Sequence, residues 1–354
     1  MAGISTAIVR PMITINASEL ASVMARHQYQ PRQKTMLKVW QRTDQRTFCI
    51  ANALEYKSNI SAVIRHYYET ADVQATKTKD TLLNGLVDKW DQNEQSFIQV
   101  MKVIFPENGS NDHFEKLRFE ILKELKYLTY CREERVLYES QIRSNDFLQE
   151  LQKLCKDENR PVSESAKEIC EKQGINSDEV IKAVESKLTK DRGTKLESKT
   201  IDAFGKDKEI DYFKAEDTIE LKFMNCGGVE WVLQGRADAL VEDEVIEVKN
   251  RTNRFMQPIY DLIQLQAYLF LYNKEKGVLL ERLKGENKES KFEFKEGFWI
   301  DDAIPAMKDF VEELQNLIEK SKNQFSEDRS HTSPCKRHFE KYDNSPINKK
   351  PCSE

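Results

Sequence analysis

The segment Gly235–Arg251, GRADALVEDEVIEVKNR, sets Asp238 on one apolar run and Glu247 and Lys249 on the next, with only EDE between them. A short turn there folds the two runs into a hairpin and brings Asp238 within about one residue of register from Glu247. Side chains alternate along a strand, so Glu247 and Lys249 share one face while Ile246 and Val248 point the other way, into a core. Two carboxylates and an ammonium then converge at a sheet edge. A hard divalent cation such as Mg2+, with Mn2+ as a substitute, takes a few carboxylates plus water and leaves positions for a phosphate. The lysine can orient or deprotonate an attacking water. Such a set can hold a cation, a phosphate and a water aligned beside it. Glu-x-Lys alone is also the ordinary pattern of a solvated strand face, so the reading depends on its surroundings.

Upstream, DRGTKLESKTIDAF reads as a helix with Leu196, Thr200 and Ala203 as its packed stripe and Glu197 beside them. Downstream, Gln264 and Tyr268 are four apart on one helical face. Each has a plainer alternative, a surface acid for Glu197 and the polar flank of a core helix for the Gln/Tyr pair. The ordered series Glu, Asp, Glu-x-Lys, Gln-x-x-x-Tyr is harder to obtain by accident than any of its parts.

The elements that must position these residues follow from periodicity. INASELASVMARH predicts a short helix with Asn16 or Ser18 near its cap and Leu20, Val23 and Met24 on one face. From about residue 48 to 190 the pattern is helical. HFEKLRFEILKELKYLTY places Phe114, Leu117, Ile121, Leu125 and Leu128 on one stripe, and NSDEVIKAVESKL opens with Asn176 and Glu179 in capping-box spacing. EICEKQGINSDEVIKAVESKL loosely matches a helix-turn-helix, but Asp178, Glu179 and Glu185 on its second helix would repel phosphate, which favours a plain helical hairpin. TIELKF, VEWVLQG, ADALV and VIEVK predict a meander of strands. MQPIYDLIQLQAYLFLYN returns to helix, GVLLERL and KFEFKEGFWI read as strands, and DDAIPAMKDFVEELQNLIEKSK as a closing amphipathic helix. The expected organisation is an N-terminal part of the catalytic domain at 1–47, a self-contained helical insertion at 48–189, the catalytic core at 190–323 and a disordered tail at 324–354. In that tail KRHFEKYDNSPINKK carries sparse basic residues.

The ordered series resembles the PD-(D/E)xK nuclease superfamily and, within it, the YqaJ-like viral recombinase group that includes lambda exonuclease. The likeness begins at TINASELASV and extends through RGTKLE, GRADAL, IEVK and QLQAY, covering residues 12–45 and 190–300. It implies an α/β, restriction-endonuclease-like core, a mixed central sheet flanked by helices, here carrying a large helical insertion. It implies Asp238, Glu247 and the Val248 carbonyl as ligands of Mg2+, with Glu197 the helix acid contributing directly or through water. Lys249 would be the catalytic lysine and Gln264 the glutamine lining the site; Ser18, Arg192 and Tyr268 would meet DNA. The implied activity is exonucleolytic hydrolysis from double-stranded DNA ends in viral or mobile-element replication, repair or recombination, with a recombinase or single-strand-binding partner and homo-oligomers as further implications. The family usually follows its first helix with Gly and an Asn-Pro-Tyr-like turn, where this chain has ARHQYQPR, and a long helical stretch replaces the family's short linker. The rival is a DNA-binding or scaffold protein that keeps the fold without the reaction, but every carboxylate and the lysine are present.

Composition bounds the remainder. A net charge of -5 argues against coating nucleic acid by bulk charge, although residues 1–50 carry seven basic residues against Glu19 and Asp44. The seven cysteines include no CxxC pair, and the five histidines stand apart, which leaves a zinc site or an iron-sulfur cluster unsupported and fits a reducing compartment. No basic start precedes an apolar block and no apolar run approaches bilayer length, so the chain reads as soluble, in nucleus or cytoplasm.

Overall fold

The computed structural model describes residues 12–70, 94–106, 114–140, 145–154, 160–209, 213–214, 219–241 and 243–326. It is a mixed α/β protein. Strand β1 (Ile13–Asn16) buries Ile13 and Ile15, and a helical turn, Ala17–Glu19, leads into the short α1 (Leu20–Val23). The Glu19 carboxylate reaches back to the Asn16 amide at 3.0 Å, the reciprocal half of an N-terminal cap. Arg42 grips the same carboxylate, at 2.6 Å to one oxygen, and so neutralises a buried acid.

Among the described residues six helices follow: α2 (Arg32–Thr43), α3 (Gln45–Ala53), α4 (Lys57–Thr70), α5 (Glu94–Ile104), α6 (Glu115–Leu125) and α7 (Arg132–Glu139). The apolar stripes of α2 to α6 do not form a core of their own, and Val136 and Leu137 of α7 pack on the second cluster below. Phe48, Ile60, Phe97, Ile121 and Leu125 belong to one continuous hydrophobic cluster with Ile13, Trp231, Leu233 and Phe310. The expected stripe at Phe114, Leu117, Ile121, Leu125 and Leu128 is buried throughout. A second cluster joins α8 (Asn145–Leu154), α9 (Val162–Lys172) and the first half of α10 (Asp178–Lys208) around Phe147, Leu151, Ile169, Val184 and Leu188. The stretch 48–189 is therefore divided: its first part completes the main core, and its second builds a satellite. Gly174, at φ +69, reverses the chain between α9 and α10, and Ser177 rather than Asn176 is the cap residue of α10.

The strands follow in two sheets. β1 lies parallel to β4 (Val229–Gly235), which pairs antiparallel with β3 (Glu220–Cys226). The five-stranded sheet runs β2 (Phe213–Lys214), β5 (Ala239–Val241), β6 (Glu244–Arg251), β7 (Lys276–Leu283), β8 (Glu286–Glu293), with β6 and β7 parallel and the other pairs antiparallel. Alternation along β6 sends its two faces to different helices. Ile246 and Val248 pack with Ile201 and Phe204 of α10, while Val245 joins the main core with Leu265 and Leu269 of α11 (Ile259–Tyr272). The packed face of α10 is thus Thr200, Ile201 and Phe204 rather than Leu196, Thr200 and Ala203.

Two glycines seat α11. A Cβ on Gly235 would stand 2.8 Å from Ala17 Cβ and from Tyr268 Cε1, and one on Gly277 would stand 3.0 Å from Leu265 Cδ1. The absence of both side chains lets the helix lie directly on β4 and β7. The expected strand through GFWI is instead wound, at Phe298–Ala303, because Trp299 turns inward to stack on Phe270 at 4.0 Å. The closing helix α12 (Ile304–Ser326) lays Met307, Phe310, Val311 and Leu314 on the main core. The tail beyond 326, with KRHFEKYDNSPINKK, lies outside the described residues.

Candidate active site

The hairpin register explains the meeting of Asp238 and Glu247. Ala239 pairs with Ile246, so one further step of the ladder sets Asp238 opposite Glu247. Asp238 is held there by the main chain, since the Val248 amide donates to its Oδ2 at 2.7 Å. On β6 the odd-numbered side chains Glu247, Lys249 and Arg251 form a polar row beneath α11, whose Asp261, Gln264, Tyr268 and Tyr272 recur at three and four residues. Two bonds join the rows and two more fix the side chains of α11. Arg251 donates to Asp261 at 2.8 Å; Lys249 donates to Gln264 Oε1 at 3.3 Å; Gln264 Nε2 donates to the Tyr268 hydroxyl at 2.9 Å; the Ala237 amide donates to the Tyr272 hydroxyl at 3.3 Å. Lys249 also donates to Glu247.

Burial sets the electrostatics. Glu247 is 1% exposed, and among the described residues its Oε2 has no hydrogen-bond partner of ordinary geometry. Loss of water, reinforced by the Asp238 charge, pushes its carboxyl up to about 8. Burial, followed by Asp238, likewise pushes Glu197 up to about 7. Asp238 is raised by burial, although the Val248 amide and Lys249 pull the other way. For Lys249, burial opposes the charge, but Glu247 and Asp261 outweigh it and hold the ammonium protonated. Tyr268 is raised, first by burial and then by Glu247, so it remains a neutral phenol.

Glu197 comes to this cluster from the opposite face of the sheet, on α10. Asn250, the next even-numbered residue of β6, fixes that helix: its Nδ2 donates to the Gly193 carbonyl at 2.9 Å, and its Oδ1 accepts from Thr200 at 3.0 Å. Gly193, Glu197 and Thr200 lie on one helical face, so Asn250 sets the rotation of α10 that aims Glu197. No motif marked Asn250. The signal lay in its place, one residue after Lys249 on the strand face that meets the helix. Arg251 and its partners Glu281 and Asp261, all buried or nearly so, were missed for the same reason.

The other expected contacts stand elsewhere. Arg192 is 7% exposed and donates to the carbonyls of Arg160 at 2.7 Å and Leu154 at 3.0 Å and to Ser165 Oγ at 3.3 Å, tying α10 to the satellite rather than facing outward. Ser18 is exposed in the turn after β1, beside Asn16, whose Oδ1 accepts from Gln234 at 2.7 Å. The structure thus brings together Glu197, Asp238, Glu247, Lys249, Gln264 and Tyr268 and leaves Arg192 out.

Comparison with known proteins reaches part of the chain. No family model matches it. A segment of 75 residues is 39% identical to the CRISPR-associated exonuclease Cas4 of Saccharolobus solfataricus, covering 19% of this chain and 37% of that relative's length. Among solved structures, an alkaline exonuclease from Laribacter hongkongensis aligns at 16% identity with a TM-score of 0.33, over 38% of this chain and 73% of that one. LHK-Exo in complex with dAMP aligns at 13% with a TM-score of 0.31, over 49% of this chain and 90% of that one. At those values the alignments assign nothing to this chain.

Among the described residues no three His, Cys, Asp or Glu side chains group closely enough to ligate one ion. The donor chemistry of the pair Asp238 and Glu247 still fits a hard divalent cation. Both are oxygen donors, both are raised by the loss of water, and a fully buried Glu247 oxygen lacks a partner of ordinary geometry among the described residues. Mg2+ uses one or two carboxylates completed by water and substrate oxygens.

Proposed function

We propose that this chain is a metal-dependent deoxyribonuclease with a restriction-endonuclease-like core, acting as an exonuclease on double-stranded DNA ends. The observation that carries the reading is the convergence of Asp238, Glu247 and Lys249 at the β5–β6 hairpin, with Glu197 and Gln264 reaching it from two helices. The 39% identity of one segment to a protein named as an exonuclease supports the same reading.

Asp238, Glu247 and the Val248 carbonyl would hold Mg2+, or Mn2+ in its place, which supplies neutralising charge to a phosphate and acidifies a water. Lys249, held protonated by its carboxylates, is suited to orient the attacking water and stabilise charge on the phosphate rather than to take a proton. Glu197, at about 7 and less deeply buried than Glu247, is suited to exchange a proton near neutral pH. Gln264 positions the Lys249 ammonium and is itself positioned by Tyr268. Ser18, exposed at the end of β1, is a candidate for a phosphate contact.

The test uses purified protein on end-labelled linear and closed circular DNA, with Mg2+ or with chelator. Shortening of the linear substrate alone, dependent on Mg2+ and lost in Asp238→Ala, is the expected result. Cation-independent cleavage, or none by a folded protein that binds DNA, would overturn the reading and favour a scaffold.

A further inference from the structure

The segment ARHQYQPR, where this chain departs from the pattern it resembles, builds a feature that the hydrolytic centre does not use. The His27 ring stacks on Tyr260, with centroids 4.6 Å apart and planes inclined by 21°. Tyr29 stands edge-on to both, at 6.2 Å from Tyr260 and 6.5 Å from His27. Tyr29 is 66% exposed, although its loop is firmly anchored. The amides of Tyr29 and Gln30 donate to His27 Nδ1 at 3.1 and 3.0 Å; Ser22 Oγ donates to the Gln30 carbonyl at 2.8 Å; Gln30 Nε2 donates to Thr35 Oγ1 at 2.7 Å. With Nδ1 accepting twice, the ring proton sits on Nε2. Burial lowers the His27 pKa, which keeps the ring neutral and flat-faced for stacking.

The cluster adjoins the candidate active site through Tyr260. Tyr260 immediately precedes Asp261 and lies one helical turn before Gln264, and the charges of Arg251 and Lys249 act on its phenol. Lys38 lies within electrostatic reach of His27 and makes no ion pair among the described residues. An ordered, exposed aromatic group beside a cation is the construction that receives bases of a single strand. Every base offers a π-face, and the cation meets the backbone.

We propose that His27, Tyr29 and Tyr260 form a stacking site for an unpaired nucleobase at the DNA end whose phosphate enters the Asp238–Glu247 centre. The proposal rests on the nuclease reading. It makes the preferred substrate an end with a short overhang or frayed terminus rather than a flush one.

The experiment measures binding in Ca2+ of two hairpin duplexes, one flush and one with a short overhang carrying 2-aminopurine. Wild type should bind the overhang more tightly and quench the probe. Tyr29→Ala should lose roughly tenfold in affinity for the overhang, with the flush duplex little changed and the quenching gone. Tyr29→Phe should restore both, and circular dichroism should show all variants equally folded. Equal affinities of wild type and Tyr29→Ala for the overhang, or equal losses on both duplexes, would overturn the stacking site. The two readings separate cleanly. Mg2+-dependent cleavage by wild type with an unquenched probe removes the stacking site alone, whereas quenching without cleavage keeps it and removes the nuclease.

Discussion

Gln264 and Lys249 meet across the gap between α11 and β6, the amide oxygen accepting from the ammonium at 3.3 Å. A flip of the amide would set its NH2 against the Lys249 ammonium, two donors face to face, so the oxygen stays toward Lys249 and the nitrogen toward Tyr268 at 2.9 Å. Gln264→Leu should therefore preserve the fold yet lower kcat by about tenfold with KM nearly unchanged, since it loosens a group that acts on the transition state. Lys249→Ala should lose about 10²-fold or more in rate while keeping DNA affinity in Ca2+. Lys249→Arg should not rescue it, because a planar guanidinium cannot place its charge where the compact ammonium sits. Single-turnover cleavage checks all three, and full activity of Lys249→Ala would return the lysine to a solvated strand face.

The acids give stability a definite pH dependence. Glu197 and Glu247 are weaker acids folded, at about 7 and about 8, than their ordinary value of 4.5. The folded state binds their protons more tightly. Their contribution is complete below about pH 4.5 and is lost as pH rises through about 7 and about 8. Without divalent cations, Tm should fall between pH 5 and pH 8.5, and Glu247→Gln should flatten that fall. Mg2+ should raise Tm more at pH 8 than at pH 6, because protons compete for the same carboxylates. A melting curve of Glu247→Gln that tracks wild type at every pH would refute the assignment.

Gly235→Ala offers a purely steric test. Its Cβ would meet Ala17 and Tyr268 at 2.8 Å and Leu271 at 3.0 Å, which the seated helix cannot relieve without moving. A loss of about 1–3 kcal/mol is expected, together with reduced activity, since Tyr268 carries Gln264. Gly228, whose Cβ would meet nothing within 4 Å but whose φ is +80, should lose stability without that loss of activity when changed to Ala. Denaturant melts and cleavage rates of the two variants decide the point.

The pairing of Asp238 with Glu247 was legible because the linking turn is short and leaves little freedom of register. β3 to β6 and α11 were legible because their periods of two and 3.6 are uninterrupted. β1 was not. Its four residues carry no isolated strand signal, and their partner Trp231–Gln234 is far along the chain. Asn250 carries no local signal, because its part depends on α10 resting on it. Arg192 sits where the resemblance places a phosphate contact, but the carbonyls that bind it belong to a satellite whose packing no local pattern discloses.

The two helical clusters should respond separately to truncation of their cores. Phe97→Ala, at a fully buried position of the main cluster, should cost about 3–5 kcal/mol and lower the unfolding transition seen at the candidate site. Ile169→Ala, buried equally well in the satellite, should chiefly raise hydrogen exchange in α8, α9 and the first half of α10. Matching exchange maps for the two variants would show a single cooperative unit instead.

Asn16 and Gln234, neighbours at the end of the β1–β4 pair, are 218 positions apart in sequence. On a ribosome adding about 5–20 residues per second, roughly 10–45 s separate the emergence of the first strand from that of its partner. During that interval Ile13 and Ile15 have no ladder to join, while the helices that share their cluster are already emerging and can shelter them. Phe48, Phe97 and Leu125, which share that cluster, are all made before the partner strand, so the apolar contacts of Ile13 and Ile15 precede their ladder in order of synthesis. β1 is made long before the strand it pairs with.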